Sequence, residues 1–383
     1  MINVGIIGSG FIGPAHIEAI RRLGFVNVVA LADHSVEAAQ LKAQQLHIPY
    51  AYGSIEQLLA HPELQVVHNC TPNALHAVIN EKIIRAGKHV FSEKPLCMTS
   101  DEARHLLALA RQHGVVHGVS FVYRQFAMVQ QAASMVRQHD IGRIFAVHGG
   151  YFQDWMLLDT DYNWRIEPEV GGESRAVADI GSHWCDTLQF VTGRKIVAVM
   201  ADFSIVHPLR KAAKNGASAF SADNAQQAYE EKPVVTEDFA SVLLKFDDGS
   251  RGAFNVSQVS AGRKNRLLFE INGSEKSLCW DQELPQNLWV GARSQANQLL
   301  TDDPAQLNAD VQGSVHFPGG HIEGWPDAFK NMLLKFYQFI AAEKQPGVDA
   351  AEFATFEDGA QIMFIIDAIV QSHRQQRWID VGQ

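Results

Sequence analysis

The sequence has no excess of positive charge. Its 32 Lys and Arg are outnumbered by 42 Asp and Glu, a formal charge of −10. A nucleic-acid groove or an anionic membrane surface needs clustered cations to neutralise phosphate, so neither is an expected partner and a small molecule is. Cysteine is scarce: Cys70, Cys97, Cys185 and Cys279 stand far apart without a CxxC. That offers neither a disulfide framework nor a zinc ligand set and suits a reducing cytoplasm, the expected location. Long apolar runs are missing as well. No stretch approaches the roughly 20 residues that cross a bilayer, and Met1–Gly10 has neither the basic start nor the apolar core of an export signal. There is no internal repeat.

What is present is enough apolar material for two hydrophobic cores: 46% of 383 residues. From residue 2 to about 120, short apolar runs at Ile2–Ile7, Val28–Asp33, Val66–Asn69, His89–Ser92 and Val115–Val119 alternate with helical patterns at Phe11–Leu23, Val36–Leu46, Ala74–Ala86 and Ser100–His113. Strict alternation predicts a parallel sheet wound by crossover helices, a Rossmann domain over residues 1–122. After a helical stretch at Phe126–Gln138 come longer β-type segments: Ile144–Phe152, Ile196–Val206, Asp238–Phe246, Arg251–Ser260, Arg266–Ile271 and Lys276–Trp280. Asp247-Asp248-Gly249 and Asn272-Gly273 read as hairpin turns, because those residues tolerate positive φ. Residues 123–383 are therefore expected to form an α+β domain with an open, mainly antiparallel sheet. Its helices are expected near Ser182–Val191, Asp327–Glu343 and Phe356–Gln376, with the last two able to pack back on the first domain. Lys211–Pro233 and Ser294–Gln312 are polar and read as surface loops.

The first strand runs into Gly8-Ser9-Gly10-Phe11-Ile12-Gly13, a GxGxxG at a strand–helix junction. Gly8 permits the tight turn, Gly10 lets the backbone approach a pyrophosphate and Gly13 allows close helix packing, while the helix N-terminus presents free N–H groups. Asp33 closes the second strand 20 residues after Gly13, where a carboxylate meets the adenosine ribose hydroxyls. It would repel the extra phosphate of NADP, and His34-Ser35-Val36 supplies no Arg or Lys to offset it. NAD is the expected cofactor. A helix N-cap or turn aspartate is the alternative reading of Asp33.

Thr71-Pro72-Asn73 with His76, Gly87-Lys88-His89-Val90, Glu93-Lys94-Pro95, and Gly171-Gly172 followed by Asp179-Ile180-Gly181-Ser182-His183 complete an ordered set spanning nearly the whole chain. In order and spacing this set resembles the family of glucose–fructose oxidoreductase, inositol dehydrogenase and the rhizopine-catabolism protein MocA. The resemblance implies that Lys94 is catalytic and joined to Pro95 by a cis bond, and that Asp179 and His183 are its catalytic partners. It also implies that Thr71, Pro72, Asn73, His76 and Glu93 lie at the nicotinamide ribose side, alongside Gly8, Ser9, Gly10, Phe11, Ile12, Asp33 and His34 on the rest of the cofactor. The chemistry agrees. An imidazole can take the proton of a hydroxyl, a nearby carboxylate can fix its tautomer, and an ammonium can stabilise an alkoxide. Whether Lys94 or His183 holds the proton stays open.

The expected activity is NAD-dependent oxidation of a hydroxyl on a sugar, glycoside, anhydrosugar or cyclic polyol, an EC 1.1.1 type of reaction. The alternatives are a redox-assisted glycosidase, epimerase or lyase that retains NAD, and a nucleotide-sensing regulator without turnover. Tyr123, Gln153, Trp164, Arg165 and His321 join Lys94, Asp179 and His183 as candidate substrate contacts, since aromatic faces beside forked hydrogen-bond groups suit a pyranose. The Gln153-Asp154-Trp155 and Gly319-Gly320-His321 segments resemble those of dehydrogenases acting on glucose-type pyranosides and anhydrosugars. No metal is expected: the sequence has 17 histidines, and Asp179, His183 and Asp186 share helical spacing, but there is no HExxH or HxH. The resemblance further implies a homodimer or homotetramer.

Overall fold

The computed structural model describes residues 1–213 and 228–382. It divides into two compact units, Met1–Gln125 with Gly324–Met363, and Phe126–Glu323 with Phe364–Gln383.

The first unit is built on six parallel strands: β1 (Ile2–Ile7), β2 (Val26–Ala32), β3 (Tyr50–Tyr52), β4 (Val66–Asn69), β5 (His89–Ser92) and β6 (His117–Val119). Their spatial order is β3-β2-β1-β4-β5-β6, a doubly wound order whose reversal lies beside β1. The connecting helices are α1 (Ile12–Arg21), α2 (Val36–Gln45), α3 (Ile55–Leu59), α4 (Asn73–Arg85) and α5 (Ser100–His113). A sheet covered on both faces needs strands apolar throughout rather than alternating. Val4, Ile6, Leu31, Val66, Val67, Val90 and Phe91 accordingly have no exposed surface, each worth about 1.5–3 kcal/mol when taken out of water. Local signals set the helix ends. Ser35 Oγ accepts from the Ala38 N–H to start α2, and Thr99 and Glu102 form a reciprocal capping box at α5, which stops at Gly114 with φ 61°. The short β3 and α3 escape sequence reading because three and five residues carry too little periodicity.

The second unit contains a nine-stranded sheet. Its strands are β7 (Ile144–Phe152), β8 (Ile196–Ser204), β11 (Phe239–Phe246), β12 (Arg251–Ser257), β13 (Arg266–Gly273), β14 (Lys276–Asp281), β15 (Asn287–Ala292), β16 (Gln298–Thr301) and β17 (Ile379–Asp380). A separate ribbon pairs β9 (Leu209–Ala213) with β10 (Tyr229–Pro233). The large sheet runs β16-β15-β14-β13-β7-β12-β11-β8-β17, antiparallel except where β7 meets β12. Helices α6 (Ala127–Arg137), α7 (Pro168–Gly171) and α8 (Ser182–Thr192) accompany it. Trp184 of α8 stacks on Phe254 at 4.5 Å and 18°, anchoring the start of that helix on the sheet. The helix Phe356–Gln375 contributes residues to both units.

Three expectations change. The polar stretch Lys211–Pro233 begins and ends in paired strands, and its residues 214–227 lie outside the described residues. Ser294–Gln312 contains β16, which β15 holds by backbone pairing that side-chain pattern does not reveal. Asn272-Gly273 is not the tip of a turn: both residues belong to β13, paired with Ser277 and Ile144. Gly273 is needed for close approach, because a Cβ there would sit 2.1 Å from the Ile141 carbonyl oxygen. Among the described residues no helix is long and apolar enough to cross a membrane.

Candidate functional site

In the first unit the glycine loop has the shape that a dinucleotide requires. Gly8 has φ +90°, and a Cβ there would fall 2.7 Å from the Cys70 carbonyl oxygen. A Cβ on Gly13 would lie 2.4 Å from the Gly8 carbonyl oxygen, whereas Gly10 faces open space. Two glycines thus close the turn and the third leaves room over the start of α1, a cradle that fits a pyrophosphate on backbone N–H groups. Ser9 is buried, while Phe11 is exposed.

Asp33 follows the last residue of β2 and points back at this loop. Its Oδ2 accepts the Ser9 N–H at 3.0 Å and the Ser9 hydroxyl, and its Oδ1 accepts the His34 N–H at 2.7 Å. Burial raises the carboxyl, but the Ser9 and His34 hydrogen bonds outweigh it and leave Asp33 below the usual carboxylate range. The capping alternative fails because Ser35, not Asp33, caps α2. His34 is exposed, its Nδ1 2.6 Å from Asp33 Oδ1.

The loops after β4 and β5 are tied together beneath the surface. Asn69 Oδ1 accepts from Thr71 Oγ1 at 2.6 Å, Asn69 Nδ2 donates to Asn80 Oδ1 at 2.9 Å, and Asn80 Nδ2 reaches Ser92 Oγ at 2.9 Å. Pro72 is the N-cap of α4 and Asn73 its first residue. His76 is buried, with Nδ1 2.6 Å from the Pro95 carbonyl and Nε2 2.7 Å from the Thr71 carbonyl. Burial takes the ring below its ordinary pKa against the pull of those carbonyls. His76 therefore sits between the Thr71 and Pro95 segments and donates its one N–H to one of these two carbonyls. The Lys94–Pro95 bond is cis and Lys94 is half-buried. Glu93 is buried; its Oε1 lies 2.9 Å from His16 Nε2 and its Oε2 accepts the Lys94 N–H at 3.2 Å. Burial pushes this carboxyl up, yet the hydrogen bond from His16 Nε2, the Lys94 charge and a Ser120 hydrogen bond hold it below the ordinary carboxylate range. Tyr123 is buried on the turn Val122–Gln125.

The second unit holds the other candidates. Asp179 lies in a single π-helical turn, Val177–Gly181, that leads directly into α8, whose second residue is His183; such turns gather at functional sites. Asp179 caps neither helix end. Its Oδ2 accepts from Gln258 Nε2 at 3.0 Å, and Arg165 Nε lies 3.6 Å from its Oδ1. The Arg165 guanidinium sits 4.4 Å from the Trp164 ring and 5.8 Å from the Trp155 ring. His183 is buried with its ring 6.3 Å from that of Tyr151. Gln153 is fixed from both ends, donating to Asn265 Oδ1 at 2.8 Å and accepting from Trp155 Nε1 at 2.6 Å. His321 is exposed, and among the described residues its side chain bonds the Pro318 carbonyl in its own turn, at 2.9 Å. Asp179 with Arg165, Trp164 and Trp155 thus forms one cluster, with an aromatic platform, a fixed cation and a carboxylate.

Sequence reasoning missed His16, His68 and Tyr337, which run from Glu93 into the core as consecutive hydrogen-bonded side chains. His68 left a trace, as a polar residue inside the fully buried strand Val66–Asn69. Tyr337 left none, being 269 residues away in the chain.

Residues 2–121 match the model of an oxidoreductase family with an NAD-binding Rossmann fold, and residues 129–279 match the Gfo/Idh/MocA C-terminal domain. Levoglucosan dehydrogenase of Pseudarthrobacter phenanthrenivorans is 29% identical, over all of this chain and 98% of its own. The 1,5-anhydro-D-fructose reductase of Ensifer adhaerens is 30% identical over 82% of this chain and 86% of its own. A solved levoglucosan dehydrogenase in complex with NADH and levoglucosan superposes with TM-score 0.88 and 28% identity, each chain covered in full. With both domains matched and the glycine loop, Asp33 and Lys94–Pro95 formed as described, the chain belongs to the Gfo/Idh/MocA oxidoreductase family.

Proposed function

We propose that the protein is an NAD-dependent dehydrogenase that oxidises a secondary hydroxyl of a sugar, anhydrosugar or cyclic polyol. The observation that carries this reading is the end-to-end likeness to a levoglucosan dehydrogenase holding NADH and levoglucosan, in a chain that has Lys94, Asp179 and His183. The Gly8–Gly13 loop and the start of α1 would hold the pyrophosphate, Asp33 the adenosine ribose, and Thr71 and Asn73 the nicotinamide side. Bound NAD supplies a hydride acceptor. The chain's own groups handle the proton: His183 takes it from the substrate hydroxyl, Asp179 stabilises the imidazolium and Lys94 stabilises the developing alkoxide. Trp164, with Arg165 stacked on it, gives a pyranose an apolar face beside hydrogen-bond donors.

The test is NADH formation across sugars, glycosides, anhydrosugars and inositols with NAD and with NADP. Turnover with net NADH supports the reading; sugar conversion without net NADH, or no turnover at all, overturns it. Asp33→Ser should weaken NAD binding roughly 10- to 100-fold, the worth of hydrogen bonds from ribose hydroxyls to a carboxylate, and should narrow the gap to NADP. Equal affinities of the wild type for NAD and NADP would refute that role.

The reading extends to a homo-oligomer formed through the open face of the large sheet. Leu243 of β11 lies opposite Met200 of β8, and both are exposed, as is Phe145 of β7. Leu243→Glu is expected to shift the sedimentation coefficient to that of a monomer; a monomeric wild type would contradict the proposal.

A further inference from the structure

Tyr337, His68, His16 and Glu93 form a continuous buried string within the first unit. Tyr337 Oη lies 2.6 Å from His68 Nε2, His68 Nδ1 lies 2.7 Å from His16 Nδ1, and His16 Nε2 lies 2.9 Å from Glu93 Oε1. Tyr337, His68 and His16 have no exposed surface. Rings enclose them: His16 meets Phe329 edge-on at 4.9 Å, and His68 lies between Phe91 and Tyr337 at 5.1 and 5.9 Å.

Proton counting fixes the direction of every bond. Among the described residues the Tyr337 hydroxyl makes one hydrogen bond, to His68, and burial pushes the phenol well above its ordinary pKa, so it keeps its proton and donates it. His68 Nε2 is then an acceptor. Burial holds His68 well below the ordinary imidazole value, so its single proton is on Nδ1 and points at His16 Nδ1. That nitrogen accepts in turn, which leaves the His16 proton on Nε2, aimed at Glu93. The opposite direction would strand the Tyr337 proton in an enclosed apolar site without an acceptor.

We infer that Tyr337, His68 and His16 act as positioning residues, a one-way donor string that fixes Glu93 as a carboxylate and so the backbone of Lys94. Glu93 Oε1 faces the string and Oε2 accepts the Lys94 N–H at 3.2 Å, while Ser120 also hydrogen-bonds this carboxylate. The inference rests on the reading of Lys94 as an acting group. With Tyr337, His68 and His16 enclosed, the string serves to fix orientation.

Neutron diffraction from the perdeuterated full chain tests the string without substrate. The expected result is deuterium on His68 Nδ1 and His16 Nε2; deuterium on His68 Nε2 or on His16 Nδ1 overturns the inference. Variants test the consequence. His16→Gln keeps an N–H near the position of Nε2, whereas His16→Asn places its amide near Nδ1 and offers Glu93 nothing. His16→Asn should lower kcat about tenfold, the loss of one hydrogen bond to a charged group, with the KM for NAD little changed and His16→Gln close to wild type. Equal kcat for the two variants overturns the positioning role. An inactive wild type with the expected deuterium pattern would instead refute the dehydrogenase reading and leave the string intact.

Discussion

Lys94→Ala should lower kcat for sugar oxidation by about a thousandfold, within the range for removing a general acid–base or oxyanion-stabilising group, while NADH still binds. The ammonium is the cationic side chain in the Glu93-Lys94-Pro95 segment, and losing it removes the charge that would stabilise an alkoxide. The glycine loop and Asp33 stay in place, because Gly8, Gly13 and Asp33 are held by contacts that do not involve Lys94. NADH fluorescence titration beside steady-state kinetics separates the two effects. Unchanged turnover would remove Lys94 from the mechanism, and loss of NADH binding would make it a structural residue.

Asp238→Asn should destabilise the second unit by about 3–5 kcal/mol, the usual result of removing one partner from a buried charge network, and lower the unfolding temperature by roughly 10 °C. The Asp238, Arg175 and Arg210 side chains are fully buried. Asp238 Oδ1 accepts from both guanidiniums, from Arg210 at 2.6 Å, and Oδ2 accepts the Val206 and His207 N–H groups at 2.7 and 3.2 Å. Burial pushes this carboxyl up, but the two arginines and the His207 N–H hold it below its ordinary value. A depressed folded-state pKa contributes stability that is fully present above the unfolded value of about 3.9 and is lost as pH falls through the folded one. Wild-type stability should therefore decline with acid below about pH 4, and the variant should lack that part of the decline. Activity should fall too, because the Arg175 carbonyl accepts the Asp179 N–H at 2.8 Å. By contrast, Glu56→Gln breaks an exposed pair with Lys82 and should leave the melting curve in place. Calorimetry of the three proteins decides it, and a variant as stable as the wild type would refute the network's importance.

Most of the first unit was legible because a buried parallel strand must be apolar along its whole length and a crossover helix must be apolar along one stripe. The runs Ile2–Ile7, Val66–Asn69 and His89–Ser92 carry that requirement and match the observed strands residue for residue. The glycine loop was equally legible, since Gly8 and Gly13 are positions where any Cβ would collide with backbone. The second unit was legible as strands but not in their order. Which strand lies beside β7 depends on pairing across more than a hundred residues, and its parallel contact with β12 follows no local signal. Lys94, Asp179 and His183 stood out through the family resemblance; spacing alone would have left a capped helix and a surface lysine.

The sequence by itself determined the periodicities, the glycine loop and the acid after the second strand, because each is a local demand on residue type. Only the tertiary structure decided what the polar residues inside the core are for. His16 and His68 are unremarkable in a list of 17 histidines until Tyr337 arrives from a distant helix and gives each ring nitrogen a single allowed role. Asp238 is likewise one carboxylate among many until folding buries two guanidiniums against it. Inside the second unit folding brings two arginines together on one acid. Hydrogen bonds and buried charges join groups remote in the chain, and no local pattern records such a partner.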